Sequence, residues 1–182
     1  MTNWYDADGH LSEDTVADFR QTLLAWYDEC GRTHLPWRID KEPYHIWVSE
    51  IMLQQTQVET VIPYYERFLS ELPTVKDLAE ADEEVLLKLW SGLGYYSRVR
   101  NMQKAARQVM ADFDGQLPST SQSLQSLAGI GPYTAAAIAS ISFNEVVPAL
   151  DGNMFRVFAR LLKIEADIAQ PKSRKTFYDI IL

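Results

Sequence analysis

Two carboxylates stand in surroundings that would set them to opposite protonation states. Glu50 lies within SEIMLQQTQV, three positions after Trp47 and directly before Ile51 and Met52, so on a helix it falls inside or at the edge of an apolar face. Desolvation there raises a carboxyl pKa and leaves a proton available for donation near neutral pH. Asp151 opens DGNMFRVFARL, with Gly152 and Asn153 behind it and an apolar stripe following, the placement of a helix N-cap. A carboxylate held by helix N–H groups stays charged, which suits it to face a cationic transition state. The same two residues also read as a surface glutamate and a plain cap, and only their company separates the readings.

That company begins with Gln54, Gln55, Thr56 and Gln57, amides placed where a wet helix face would ordinarily carry Lys and Glu. Amides suit the reading of hydrogen-bond edges. A second motif, LQSLAGIGPYTAAAIAS from Leu124 to Ser140, reads as a helix-hairpin-helix. Gly129 and Gly131 are expected to permit a tight turn with positive φ, and Pro132 fits the first position of the following helix. Bare glycines and unpaired first-turn N–H groups can approach a phosphate, although such a turn can also be purely structural. No strand precedes the GxG, which argues against a dinucleotide fold. Tyr133 follows at the start of the second helix.

The elements that must position these groups are helical. Apolar residues recur at three- and four-residue steps through Val16, Phe19, Leu23, Leu24 and Tyr27; through Ile46, Trp47 and Ile51; and through Val85, Leu86, Leu89 and Trp90. Val99, Met102, Ala106, Val109, Met110 and Phe113 form another stripe, as do Met154, Val157, Phe158 and Leu161. No segment alternates like a strand. Pro43 suits a first helical turn, Thr74 and Asp82 read as N-caps, and Gly92 and Gly94 close the helix that holds Trp90. Pro63 is expected to kink or delay its helix, and Gly115 to Ser123 reads as a loop leading to a short helix. KSRKTFYDIIL begins another amphipathic helix and stops at Leu182 without a cap, so a fragment of a longer protein is expected.

The 182 residues are nearly half apolar, enough for a core. Cys30, the one cysteine, excludes a disulfide framework or a cysteine-rich metal site within this chain and is expected in a helix core. No leader pattern or membrane-length apolar run is present, so a soluble cytoplasmic protein is expected, nucleoid-associated if bacterial, and no membrane partner. The net charge of −8 is unevenly spread. Residues 1–90 hold seven Lys/Arg against eighteen Asp/Glu, and residues 91–182 hold ten against seven. Arg98, Arg100, Lys104 and Arg107 come in a run without an acid, which reads either as a solvated face or as a polyanion contact.

Taken in order, SEIMLQQTQV, LAGIGPYTAAAIAS and DGNMFRV resemble the helix-hairpin-helix DNA glycosylase superfamily, and within it the adenine DNA glycosylases of the MutY type. LPWR at Leu35 to Arg38, PYYERF at Pro63 to Phe68 and WSGLGYYSRVRNM at Trp90 to Met102 carry the same likeness, which runs from about Leu35 to Ile164. The resemblance implies an all-α fold: a six-helix barrel domain bearing the hairpin at 124–140, within residues 36–150. It is flanked by part of a second helical domain formed by residues 1–35 and 151–182.

The resemblance further implies that Glu50 is the general acid and Asp151 the carboxylate opposite an oxocarbenium-like sugar, with Tyr133 and Asn153 in the same site. Gln55 and Thr56 would contact the base opposite the target, normally 8-oxoguanine, and Leu93 and Tyr95 would pack against it and wedge into the duplex. Trp37 and Arg38 would lie near the extruded adenine, Gly129 and Gly131 at the backbone, and Arg98 and Arg100 would face phosphates. The implied substrate is double-stranded DNA with an 8-oxoguanine:adenine or guanine:adenine mispair, bound by a monomer.

Where bifunctional relatives resembling endonuclease III carry a Schiff-base lysine, two residues after the hairpin's second glycine, this chain has Tyr133. Hydrolysis without strand cleavage is therefore expected. Ala128 stands where the family usually has proline. A [4Fe-4S] cluster is implied for the longer protein, its four cysteines and a C-terminal recognition domain lying beyond this sequence, so no metal is expected in this chain and its activity alone is expected to be weak or absent. The alternatives are a bifunctional glycosylase/lyase, a hairpin module that binds DNA without catalysis, and an apolar helical scaffold.

Overall fold

A computed structural model describes residues 11–168 and 170–182, so the expectation about a leader at residues 1–10 lies outside the described residues. The chain divides into two compact units, one up to Leu35 and one from Pro36 to Leu182. The first contains α1 (Glu13–Cys30), capped by Ser12, whose hydroxyl accepts from the Thr15 N–H. None of its side chains is buried, and Leu23, Leu24, Trp26 and Tyr27 are exposed. The expectation that Cys30 lies in a helix core is therefore wrong: it is the exposed last residue of a helix that buries no side chain.

Every helix or strand element among the second unit's described residues is a helix. A short 3-10 turn (Pro36–Arg38) leads into α2 (Pro43–Met52), α3 (Val58–Glu71), α4 (Val75–Glu80), α5 (Glu83–Trp90) and α6 (Ser97–Asp112). Then come α7 (Ser121–Leu124), α8 (Pro132–Phe143), α9 (Gly152–Leu161) and α10 (Pro171–Ile181). Pro43 starts α2 as expected, and Thr74 makes a reciprocal capping box with Asp77. Asp82 occupies the N-cap position of α5 without making a side-chain cap bond. Pro63 does not delay its helix; α3 begins five residues earlier and passes through it. The bond it cannot donate would have gone to Glu59, an exposed residue in the first turn, where water can satisfy the carbonyl.

The helix α2 is the centre of this unit. Tyr44, Ile46, Trp47, Val48, Ile51 and Met52 are all buried, and the helix packs on α3 and α8, while α6 packs on α4 and α5. Around it, Phe68, Leu78, Leu86, Trp90, Met102, Leu124 and Ile138 are fully buried, each stabilising the fold by about 1.5–3 kcal/mol. Phe68 meets Trp90 edge-on at 6.0 Å, and Phe155 meets Phe177 at 5.0 Å, joining α9 to α10. Two polar side chains of α6 complete the frame by satisfying orphan carbonyls of α4 and the turn after it: Gln103 donates to Ala81 O at 2.6 Å and Arg107 to Ala79 O at 3.0 Å.

Candidate active site

Three groups of predicted residues are each held on separate helix ends of the second unit. The first gathers Glu50, in the last turn of α2, and Tyr133, in the first turn of α8. These two helices pack directly on each other, which brings their ends together. The Tyr133 hydroxyl lies close enough to the Glu50 carboxyl to favour its charged form. Burial pushes the Glu50 pKa up; the Tyr133 hydroxyl and the Arg38 guanidinium act against that, and the negative charge of Asp151 adds to it. Tyr133 is pushed up to about 12, by burial first and then by the charges of Glu50 and Asp151, so it remains a donor at any ordinary pH. Tyr133 also borders an open cleft of about 570 Å³ that is lined by Pro132, Ala136, Leu150, Arg174 and Tyr178.

Asp151 reaches this group as the N-cap of α9. Its Oδ1 accepts from the backbone N–H of Asn153 at 3.0 Å and of Met154 at 2.8 Å. Its Oδ2 accepts from Asn153 Nδ2 at 2.9 Å, and Arg156 donates to Asn153 Oδ1 at 2.9 Å. The carboxylate is thus fixed in orientation by three donors, two of them on a helix N-terminus. Arg38 is exposed beside Glu50. Trp37, by contrast, is a buried packing residue that meets Tyr65 edge-on at 5.5 Å.

The second group sits on two turns. Gln55, just beyond α2, is exposed and adopts a left-handed backbone (φ 57°), and Thr56 beside it donates to Gln54 O at 3.3 Å. Leu93 and Tyr95 lie on the turn between α5 and α6. Leu93 is buried, whereas Tyr95 is 65% exposed and also left-handed (φ 47°). Of these two, only Tyr95 is accessible from the surface. Gly92 (φ 103°) and Gly94 (φ 71°) make the turn, and a Cβ on Gly92 would collide with the Tyr64 hydroxyl.

The third group is the hairpin between α7 and α8. Gly129 has φ 76°, and a Cβ there would meet the Asn101 Cβ at 2.7 Å, so both conformation and the approach of α6 require glycine. Gly131 differs from the expectation: its φ of −86° is open to any residue, and it serves as the N-cap of α8 with open space where a side chain would be. Gln108 accepts from the Ala128 N–H at 2.8 Å and so holds the hairpin's other arm. Sequence reading missed Asn101 and Gln108, because nothing local to either says which hairpin α6 lies against.

Arg98 directs its side-chain donors into the fold rather than toward a phosphate, whereas Arg100 stays exposed beside an acid. Arg100 pairs with Glu83 at 2.9 Å, and Arg98 donates to backbone carbonyls of α2 and of the turns after α2 and α5.

An all-helical unit that sets a glycine hairpin beside a half-buried glutamate, a neighbouring tyrosine and a capping aspartate is a helix-hairpin-helix protein. Residues 48–181 match the HhH-GPD superfamily of base excision DNA repair proteins, and the chain belongs to that family. It is 50% identical over 169 residues to an adenine DNA glycosylase of Rattus norvegicus, covering 87% of this chain and 33% of that protein. Against the human adenine DNA glycosylase it is 48% identical over 169 residues, covering 87% and 31%. It is also 48% identical over 150 residues to that of Buchnera aphidicola subsp. Baizongia pistaciae, covering 82% and 43%. The chain therefore spans about a third to under a half of these relatives' length.

The fold matches a thermostable thymine-DNA glycosylase with a TM-score of 0.80 at 24% identity, over 91% of this chain and 76% of that one. It matches an endonuclease III from a non-covalent DNA complex with a TM-score of 0.72 at 22% identity, over 91% and 78%. The all-α hairpin fold expected from the sequence is the observed one. Among the described residues no helix is long and apolar enough to cross a membrane.

Proposed function

We propose that this chain carries the catalytic groups of an adenine DNA glycosylase that hydrolyses the N-glycosidic bond of adenine opposite 8-oxoguanine or guanine. The observation that carries it is the Glu50–Tyr133–Asp151 arrangement, in which burial raises the pKa of one carboxyl while three donors fix the other. The relatives named adenine DNA glycosylases support the choice of base.

The target adenine is first flipped from the stack. Protonated Glu50 delivers its proton to N7, and the C1′–N9 electron pair leaves with the base, which departs neutral. The charged carboxylate of Asp151 stabilises the cationic deoxyribose until a water oxygen bonds to C1′, its proton passing to Glu50. Asn153 keeps Asp151 oriented, and Arg38 lies on the approach to Glu50. Gln55 and Thr56 contact the base left opposite, Tyr95 wedges at the step with Leu93 packed behind it, and the Gly129–Gly131 backbone meets a phosphate.

The protein acts as a monomer on double-stranded DNA, in the compartment that holds DNA. Residues 36–150 form the barrel domain; residues 1–35 and 151–182 belong to the second. An iron–sulfur cubane takes four thiolates, and the sequence has one cysteine, so this chain's residues do not fit such a cluster, and no step above passes through one. Incubating the chain with a duplex bearing one 8-oxoguanine:adenine pair tests the reading. Slow release of free adenine, leaving an alkali-labile abasic site, is expected, whereas release of thymine instead refutes it.

A further inference from the structure

Arg98 lies in the first turn of α6, half-buried, yet its hydrogen bonds all leave that helix. One terminal nitrogen, Nη1, donates to the carbonyls of Ile51 at 2.8 Å, Met52 at 3.3 Å and Gln54 at 2.7 Å. The other, Nη2, donates to Leu93 O at 3.2 Å and Gly94 O at 3.3 Å. The guanidinium carbon also lies 5.4 Å from the Trp90 ring centre and 5.6 Å from that of Tyr95. The remaining nitrogen, Nε, is buried. Every donor is therefore turned inward, and no N–H is available to a phosphate.

The acceptors fall into two sets, and each set ends one residue before a strained one. Gln54 O belongs to the peptide plane whose rotation defines φ of Gln55, and Gly94 O to the plane that defines φ of Tyr95. Those two φ values, 57° and 47°, are left-handed conformations that cost a residue with a Cβ about 1–2 kcal/mol each. Gln55 has no glycine's freedom, and neither does Tyr95, so something outside each turn must hold the geometry. Gly94 O has a second anchor in Trp90 Nε1, at 3.1 Å. Gln54 O has in addition only the weak bond from the Thr56 hydroxyl at 3.3 Å. The set on α2 includes the free carbonyls at a helix C-terminus whose own last turn has no basic residue, so Arg98 also supplies the cation that end lacks. Glu50 sits in that same last turn.

We propose that Arg98 is the positioning residue for recognition of the base opposite the target: one planar guanidinium clamps the Gln55 and Tyr95 turns to each other and to the helix end that carries Glu50. The inference rests on the function proposed above for those turns. A lysine keeps the charge but presents its donors from a single nitrogen, and cannot bond both sets of carbonyls at once in the same geometry.

The test uses the whole chain with Arg98→Lys and, as a second variant, Arg98→Met. Hydrogen exchange is followed in peptides covering residues 53–57 and 92–96, with α4 and α8 as internal references. Affinity is measured for duplexes holding 8-oxoguanine or guanine opposite a non-cleavable 2′-fluoro-adenosine. Arg98→Lys should speed exchange in both segments together by about tenfold while leaving α4 and α8 unchanged. It should also reduce the preference for 8-oxoguanine over guanine by about threefold or more, a readout that general loss of stability would not move. Loosening of one segment alone, or of all segments equally, overturns the clamp. Joint loosening with an unchanged preference overturns its role in recognition. A wild-type chain with no preference between the duplexes shows instead that the functional reading has failed, and the exchange data separate that case from a failed clamp.

Discussion

The Tyr133 hydroxyl, in the first turn of the hairpin's second helix, lies beside the Glu50 carboxyl in the last turn of α2. Their proximity has a definite electrostatic sign. It stabilises the charged form of a glutamate whose burial favours the neutral one, and so trims a pKa that would otherwise stand higher.

Tyr133→Phe removes that donor while keeping the ring. The pKa of Glu50 should then rise further. If the protonated carboxyl is the reactive form, the rate falls as pH increases through that pKa, and the alkaline limb of the pH–rate profile should move to higher pH in the variant. A limb that stays in place, or moves to lower pH, contradicts the assignment of Glu50 as the acid.

Linkage gives a stability counterpart. A carboxyl whose folded pKa is raised above its unfolded value contributes fully below the unfolded pKa, and that contribution is lost as pH rises through the folded one. Glu50→Gln, which cannot ionise, should therefore unfold at a higher temperature than wild type at neutral pH, with the gap closing on acidification. Thermal melts at several pH values check this; a gap that widens in acid would be the wrong sign.

Asp151→Asn separates capping from charge. Asparagine caps a helix about as well as aspartate, so stability should change by less than about 1 kcal/mol. Adenine release should nonetheless fall by about a hundredfold or more, because the fixed negative charge opposite the sugar is gone. Equal losses of stability and rate would reduce Asp151 to a cap.

Gly129→Ala meets both a left-handed backbone and the Asn101 Cβ. It should destabilise the chain by about 1–3 kcal/mol and weaken duplex binding. Gly131→Ala, at a permissive φ with open space, should leave stability nearly unchanged while still hindering the approach of a phosphate. Denaturant unfolding and duplex titration of the two variants side by side distinguish the conformational glycine from the open one.

The position that holds Tyr133 offers no amine, so no Schiff base should form with the sugar. Borohydride added during the reaction should trap no covalent protein–DNA complex, and strands should break only after alkali. Efficient trapping would favour the lyase reading.

The helices, the hairpin and both carboxylates were legible because each is written in neighbouring residues: an apolar step of three or four, a glycine pair before Pro132, an aspartate ahead of a stripe. Arg98 was misread for the complementary reason. Its acceptors Ile51 and Gln54 stand 47 and 44 positions away in the chain, and a run of basic residues without acids says nothing about which of them turn inward. Gly131 and Gly129 look alike in sequence, and only the backbone distinguishes the left-handed one. Cys30 is expected in a helix core, yet α1 buries no side chain, and nothing in the neighbouring residues signals that exposure.

The central claim is that Glu50 breaks the adenine's glycosidic bond by proton donation. Single-turnover release of adenine from an 8-oxoguanine:adenine duplex, with wild type and Glu50→Gln compared under identical conditions, tests it most directly. Slow but measurable release by the wild-type chain is predicted, with a loss of about 10²–10⁴-fold in the variant and duplex affinity retained. Release at the same rate by both proteins would contradict it.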